Sequence, residues 1–206
     1  MIGLLALLAA APEFRVEIDP SVGPEWRPAV ETACAEVDRA LEAEAEPLVF
    51  RSVRVQQAAS FEELLRQGGR SRFEVAVYRD RTIWLAPPEV LGKTFDVAAI
   101  LRHECAHAGL RARAVPALPI LVEEAAVMML AGQTGRLPPG SPILAGELSE
   151  VERRARQPAD RAALETALAR AHATFGAALL KARQERRLLA FLREVAGEKA
   201  YLSRFR

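Results

Sequence analysis

The chain contains little cysteine and little histidine, with two cysteines and three histidines in 206 residues. Two cysteines are too few for a disulfide scaffold or for an all-cysteine zinc site. Because free cysteine is among the most buried residue types, we expect Cys34 and Cys105 to be buried thiols. A single bridge between them, in an oxidising compartment, is the alternative that their spacing along the chain leaves open.

Neither sign of charge is in excess, since 28 Lys and Arg residues stand against 27 Asp and Glu residues, for a formal net charge of +1. This balance excludes a polycationic protein that coats nucleic acid, so we expect no nucleic-acid partner. Half of the residues are hydrophobic and 27% are charged. That composition is typical of a globular chain, and this length is enough to bury a sizeable core without disulfides.

The most apolar run, at residues 2–11, is too short to span a bilayer, which takes about 20 apolar residues. No other segment is long enough either, so we expect no stable membrane span. The run ends in three alanines, which is typical of a signal peptide and its cleavage site. We therefore predict a signal peptide at residues 1–11, one domain at residues 12–206, and export to the periplasm or the medium. A buried or unstructured N-terminal stub is the alternative.

Strand patterns are confined to the first half of the chain, and helical patterns fill the second. The alternation of apolar and polar residues predicts strands at 13–19, 48–57, 73–78 and 82–86, and helices at 24–45 and 60–68. From residue 94 onward every periodic segment is helical, with helices predicted at 94–111, 119–131, 147–156, 159–183 and 185–195. A small N-terminal mixed sheet followed by an all-helical C-terminal half is an α+β arrangement.

The motif with the clearest chemistry is HECAH at residues 103–107, inside the helix predicted at 94–111. Residues four apart lie on one helical face, so His103 and His107 can reach the same metal ion. Glu104 lies about 100° further round the helix, where it can contact a water in the open coordination position of that ion. The pattern predicts a zinc site with Glu104 as general base, and two surface histidines beside a surface Glu are the alternative.

A catalytic zinc site needs a third protein ligand, and the helix predicted at 119–131 supplies two candidates. Glu123 and Glu124 are its only charged residues, and a carboxylate among apolar side chains is costly to bury unless it is paired or metal-bound. We expect at least one of them to bind the metal. The alternative is that both stay in water in the first helical turn, where the helix dipole favours acids.

The segments LRHECAHAGL and LPILVEEAA together resemble the gluzincin-type zinc metallopeptidases, in particular the small bacterial peptidase MA-like domains. The second motif of that family has the form W-L-x-E-G-x-A, so Glu123 stands at the position of the glutamate ligand and Glu124 at that of the glycine. The resemblance implies a zincin-like fold. It also implies Zn²⁺ held by His103, His107 and Glu123, with Glu104 as the base.

The resemblance implies two further features. A donor to the developing oxyanion comes from the helical tail, which points to His172, with Tyr201 as the weaker candidate; an ordinary surface histidine is the alternative. The strand before the HExxH helix is similar to an edge strand that pairs with an extended peptide, and residues 82–86 stand at that place. The alternative for these residues is an ordinary hydrophobic strand.

The expected function is therefore zinc-dependent hydrolysis of peptide bonds in a peptide or protein substrate. Two other functions remain open. One is a catalytically silent zincin-like module that binds an extended peptide or a partner protein. The other is a helical structural protein without a metal.

Overall fold

The structure is a computed structural model that describes residues 14–42, 44, 46–68, 74–91, 96–198 and 201–205. The predicted signal peptide lies outside these residues. The described residues form four strands and eight α-helices, besides three short 3₁₀ turns. They are β1 (Arg15–Ile18), α1 (Arg27–Glu42), β2 (Ser52–Gln57), α2 (Phe61–Arg66), β3 (Ala76–Arg79), β4 (Thr82–Leu85), α3 (Pro88–Leu91), α4 (Val97–Ala112), α5 (Ile120–Leu130), α6 (Leu148–Arg156), α7 (Arg161–Gln184) and α8 (Leu188–Ala196).

The strands form one mixed sheet in the order β1-β2-β4-β3. β1, β2 and β4 run parallel, and β3 pairs antiparallel with β4 through a tight hairpin. The expectation that residues 82–86 form a free edge is wrong, because β4 is paired on both sides. The edge strand next to α4 is β3. The chain crosses over from β2 to β4, so that β3, the hairpin partner of β4, lies at the edge of the sheet.

α4 is held against α1 by three contacts spaced one helical turn apart. Cys34 and Cys105 form a disulfide with their Cα atoms 5.1 Å apart, so the expectation of two free thiols is wrong. Gly109 permits the close approach, because a Cβ there would lie 2.8 Å from Leu41 Cδ1. A turn further on, the buried Arg113 donates to Asp38 at 2.6 Å. The sequence leaves the pairing of the two cysteines open, because it depends on how closely α1 and α4 cross.

The second half of the chain is helical, as predicted. α5 is almost entirely apolar and is buried against α4, α6 and α7 in one hydrophobic core that also contains the sheet. The α8 helix is held at its start by Glu44, whose carboxylate accepts from the backbone N–H groups of Leu188 and Leu189. The predicted α+β class, with a small mixed sheet in front and helices behind, is confirmed. Within the described ranges, none of the helices has the length and apolar character needed to cross a membrane.

Candidate metal centre

The HExxH segment lies in the middle of α4, which begins after Asp96. The Asp96 carboxylate accepts from the backbone N–H of Ala99 at 3.0 Å and so caps the helix. One turn separates His103 from His107, and their ring centroids are 5.1 Å apart in an edge-to-face arrangement. Both imidazoles therefore face the same side of α4, as the spacing of four residues requires.

The carboxylate that meets both rings belongs to Glu124. Its Oε2 lies 3.3 Å from Nε2 of His103, and its Oε1 lies 3.8 Å from Nε2 of His107. Ligand atoms of these three residues all lie within 4.8 Å of one another. Two imidazole nitrogens and one carboxylate are the donor set that suits a catalytic zinc ion with one open position. The residues thus fit a divalent metal, after a small contraction of the three groups.

Glu123, to which the resemblance to the gluzincins assigns the role of third ligand, pairs with other groups. Both of its oxygens accept from Nη2 of Arg111, at 2.7 and 2.6 Å, and Oε1 also lies 2.9 Å from Nδ1 of His107. Successive residues of a helix point about 100° apart, so only one of the two acids on α5 can face the Nε2 atoms. Arg111 continues the stripe of His103 and His107 by one more turn, but the sequence alone does not say which acid it pairs with.

Sequence reasoning missed Gln133, which follows α5 in a segment predicted as a loop. Its Oε1 lies 2.9 Å from Nδ1 of His103, while its Nε2 donates to the backbone carbonyl of Ala99 at 2.9 Å. No local pattern marks this residue, because a glutamine between glycines is ordinary in a loop. Each histidine therefore has its own partner on Nδ1, while the carboxylate of Glu124 lies near the Nε2 atoms of both.

The charges at this centre shift the acidity of two groups. Burial alone would lower the pKa of His103, but the hydrogen bond to Glu124 and the charges of Glu124 and Glu104 outweigh it and raise the pKa to about 9. For Glu123, burial favours a higher pKa, yet the hydrogen bond from His107 and the positive charges of His107 and Arg111 lower it below the ordinary value. Glu123 is therefore a carboxylate that only accepts hydrogen bonds.

The centre forms the floor of a cleft of about 740 Å³. Glu104 lines this cleft beside the histidines and is 8% exposed. One wall is β3 with its hairpin turn, in which Asp80 and Arg81 both adopt the left-handed conformation, with φ of 49° and 62°. The cleft is also lined by α6 and α7, the latter with Leu164 and Leu168, which stand one turn apart. The cleft thus has the largely buried HExxH glutamate in its lining, beside the histidines, and leaves room for a substrate.

The two predicted oxyanion donors do not line this cleft. The ring of His172 lies along its own helix, where a Cβ at Gly176 would be 2.7 Å from Nδ1. Tyr201 is buried, and its hydroxyl donates to Glu152 at 2.7 Å. His172 follows Leu164 and Leu168 on the same face of α7, but the lining of the cleft ends before it, a limit that the sequence does not determine. A different tyrosine, Tyr78 on β3, lines the cleft, and burial raises the pKa of its phenol.

Compared with known proteins, the chain matches no family model, no curated protein and no solved structure. The resemblance to the gluzincins thus stays a prediction from two short motifs. The convergence of His103, His107 and Glu124 is an observation of a different kind, because it brings together side chains from two helices.

Proposed function

We propose that this protein is a zinc metallopeptidase with a zincin-like fold. One observation carries the proposal: two histidines of an HExxH helix and a glutamate of the next long helix converge on the floor of a cleft, with Glu104 beside them. An isolated HExxH segment is a weak signal. A third ligand of the right chemistry, supplied from another helix, makes a metal centre the simplest account of these residues.

His103, His107 and Glu124 would hold the metal. A zinc ion there would supply an activated water and polarise the scissile carbonyl. Glu104 takes a proton from the attacking water and delivers it to the leaving amine, which is the work of a general acid–base group. Its place one residue after His103 supports this role, because from there it reaches the cleft without joining the three ligands.

The walls of the cleft support an extended peptide as substrate. Among the described strands β3 pairs only with β4, and all four of its residues line the cleft, which supports the addition of a peptide strand there. Strand addition of this kind provides affinity with little demand on sequence. Tyr78 stands on the same strand and lines the cleft, and its phenol O–H is our candidate donor to a developing oxyanion.

Export remains part of the proposal. Disulfides form and persist in oxidising compartments and are rare in the cytosol, so the Cys34–Cys105 bond supports a periplasmic or secreted location. Protein recovered from its native host should begin near residue 12 if the signal peptide is removed. An intact Met1 on such protein would contradict export.

The proposal is tested with the purified protein and two variants. Metal analysis should find one zinc ion per chain, and peptide cleavage should stop on chelation and return with zinc. Glu104→Gln should keep the zinc but reduce turnover by about 10²–10⁴-fold, because proton transfer is lost. Glu165→Gln is the control, since its carboxylate pairs with Arg161 and does not line the cleft.

The outcomes separate the rival functions. Zinc binding without any cleavage, in wild type and variants alike, would favour the silent binding module. A protein that takes up no divalent metal would favour a purely structural role. Cleavage that is unchanged in zinc-loaded Glu104→Gln would remove Glu104 from the mechanism.

A further inference from the structure

Each imidazole of the candidate centre also has a partner on Nδ1, namely Gln133 for His103 and Glu123 for His107. Neither partner approaches the Nε2 atoms, which face Glu124. We infer that Gln133 and Glu123 are positioning residues, which hold His103 and His107 as Nδ1–H donors so that both Nε2 atoms face Glu124. The inference rests on the proposed metal centre only in taking those Nε2 atoms as ligands. It concerns side chains to which the HExxH motif assigns no role.

The direction of the hydrogen bond at His103 follows from the groups around Gln133. The carbonyl of Ala99 can only accept, so the amide NH₂ of Gln133 must point toward it, at 2.9 Å. The amide oxygen then faces Nδ1 of His103, also at 2.9 Å, and an oxygen there can only accept. His103 must therefore carry a proton on Nδ1, and its Nε2 is the nitrogen left to bind a metal.

The same conclusion follows at His107 from a charged partner. Glu123 receives two hydrogen bonds from Arg111, so its carboxylate can only accept from Nδ1 of His107. The side chains of His107 and Glu123 are only 14% and 15% exposed, which limits competition from water. A carboxylate behind a ligating imidazole fixes its orientation and increases its basicity.

Arg111 anchors this arrangement. Its Nη1 donates to the backbone carbonyls of Val115, at 2.9 Å, and Pro116, while Nη2 donates to Glu123. The guanidinium thus connects α4, the segment after it, and α5 in one fixed geometry. With both oxygens engaged, Glu123 stays behind His107 and Glu124 alone approaches the Nε2 atoms.

The two positioning groups differ in charge, which predicts different behaviour on substitution. Gln133→Met removes the acceptor at His103 and keeps the length of the side chain. Glu123→Ala removes the acceptor at His107, whereas Glu123→Gln keeps an acceptor oxygen and removes only the charge. We therefore expect Glu123→Gln to restore the orientation of His107 that Glu123→Ala loses.

The test combines NMR of the imidazoles with zinc affinity on the full chain. The chain has only three histidines, so ¹⁵N-histidine labelling yields three resolvable rings. Wild type should show two exchange-protected, downfield Nδ1–H signals, both without metal and with zinc. The His103 signal should disappear in Gln133→Met, and the His107 signal in Glu123→Ala but not in Glu123→Gln.

Zinc affinity, measured by competition with a chelator, should fall by about 10–100-fold in Gln133→Met and Glu123→Ala, and by less in Glu123→Gln. Gln184→Met, an exposed position at the end of α7, is the matched control and should bind zinc as wild type does. Rings that bind zinc through Nδ1, or variants with unchanged signals and affinity, would overturn the inference. Two Nδ1–H signals in a wild type that binds no zinc would support the positioning and contradict the metal centre.

Discussion

The two faces of α4 are built on the same spacing of four residues but are stabilised in different ways. The face toward α1 carries Cys105, Gly109 and Arg113, and it is fixed by a disulfide, a close helix approach and a buried ion pair. The face toward the cleft carries His103 and His107, whose partners come from α5 and from the segment after it. The α1 face is fixed by a covalent bond and a buried ion pair, whereas the cleft face is held by hydrogen bonds.

This difference indicates a division of labour within a single helix. A metal centre needs ligands within a few tenths of an ångström of their working positions, which requires a rigid support. The contacts with α1 provide that support on the side where no chemistry occurs. We therefore expect substitutions on the α1 side to change the free energy of unfolding, and substitutions on the cleft side to change metal binding.

The largest effect on metal binding should come from Glu124→Ala. It removes a ligand, so the zinc Kd should rise by more than about 100-fold, beyond the range of about 10–100-fold for an outer partner. Isothermal titration on both variants compares it with Glu123→Ala, which we expect to stay within that range. A larger loss in Glu123→Ala than in Glu124→Ala would show that the acids have exchanged roles.

On the α1 side, Asp38→Ala should produce the largest loss of stability. It leaves the guanidinium of Arg113, which is 3% exposed, without its carboxylate partner. Removing one member of a buried ion pair costs about 3–5 kcal/mol in the free energy of unfolding, measured by urea denaturation. Glu150→Ala is the control, because solvent screens its exposed pairs with Arg153 and Arg154. Equal losses of stability in Asp38→Ala and Glu150→Ala would contradict this account of the contact between α1 and α4.

Replacing both Cys34 and Cys105 by alanine should have a somewhat smaller effect. The bond spans 71 residues, and loss of such a constraint on the unfolded chain lowers the free energy of unfolding by about 2–4 kcal/mol. Zinc affinity should remain close to that of wild type if the helices keep their packing around Gly109. A loss of affinity as large as that of Glu124→Ala would show that the two faces are not separable.

The remaining effect concerns pH. Because the pKa of His103 is raised from 6.5 to about 9, its protonation stabilises the metal-free fold. This contribution is present in full below pH 6.5. That contribution is lost as the pH rises through 9. Urea denaturation of the chelated protein across this range should show declining stability. The decline should be smaller in Glu124→Gln, which lacks the charge that raises the pKa, and equal slopes in the two proteins would refute the assignment.

Local pattern was sufficient to predict the elements that carry the centre. The helix predicted at 94–111 is α4 and that at 119–131 is α5, each within a few residues, and Pro116 and Pro119 mark the break between them. The disposition of His103 and His107 on one face followed from spacing alone. The short helix α3 was not predicted, since its four residues are too few to show a period.

Features that depend on how elements rotate or pair were beyond the sequence. Choosing between Glu123 and Glu124 requires the rotation of α5, and excluding His172 requires the point along α7 at which the cleft ends. The edge position of β3 follows from the pairing of β2 with β4, which are distant in the chain. The Cys34–Cys105 bond depends on the distance between two helices, which was not predictable from the spacing of the cysteines.

A crystal structure of the zinc-soaked protein, with the metal located by anomalous scattering, tests the central claim most directly. We predict one peak on the floor of the cleft, about 2.0–2.2 Å from Nε2 of His103, Nε2 of His107 and a carboxylate oxygen of Glu124. Glu123 should remain on Arg111 and Nδ1 of His107. A peak bound by Glu123 in place of Glu124, or no peak at this point, would contradict the account.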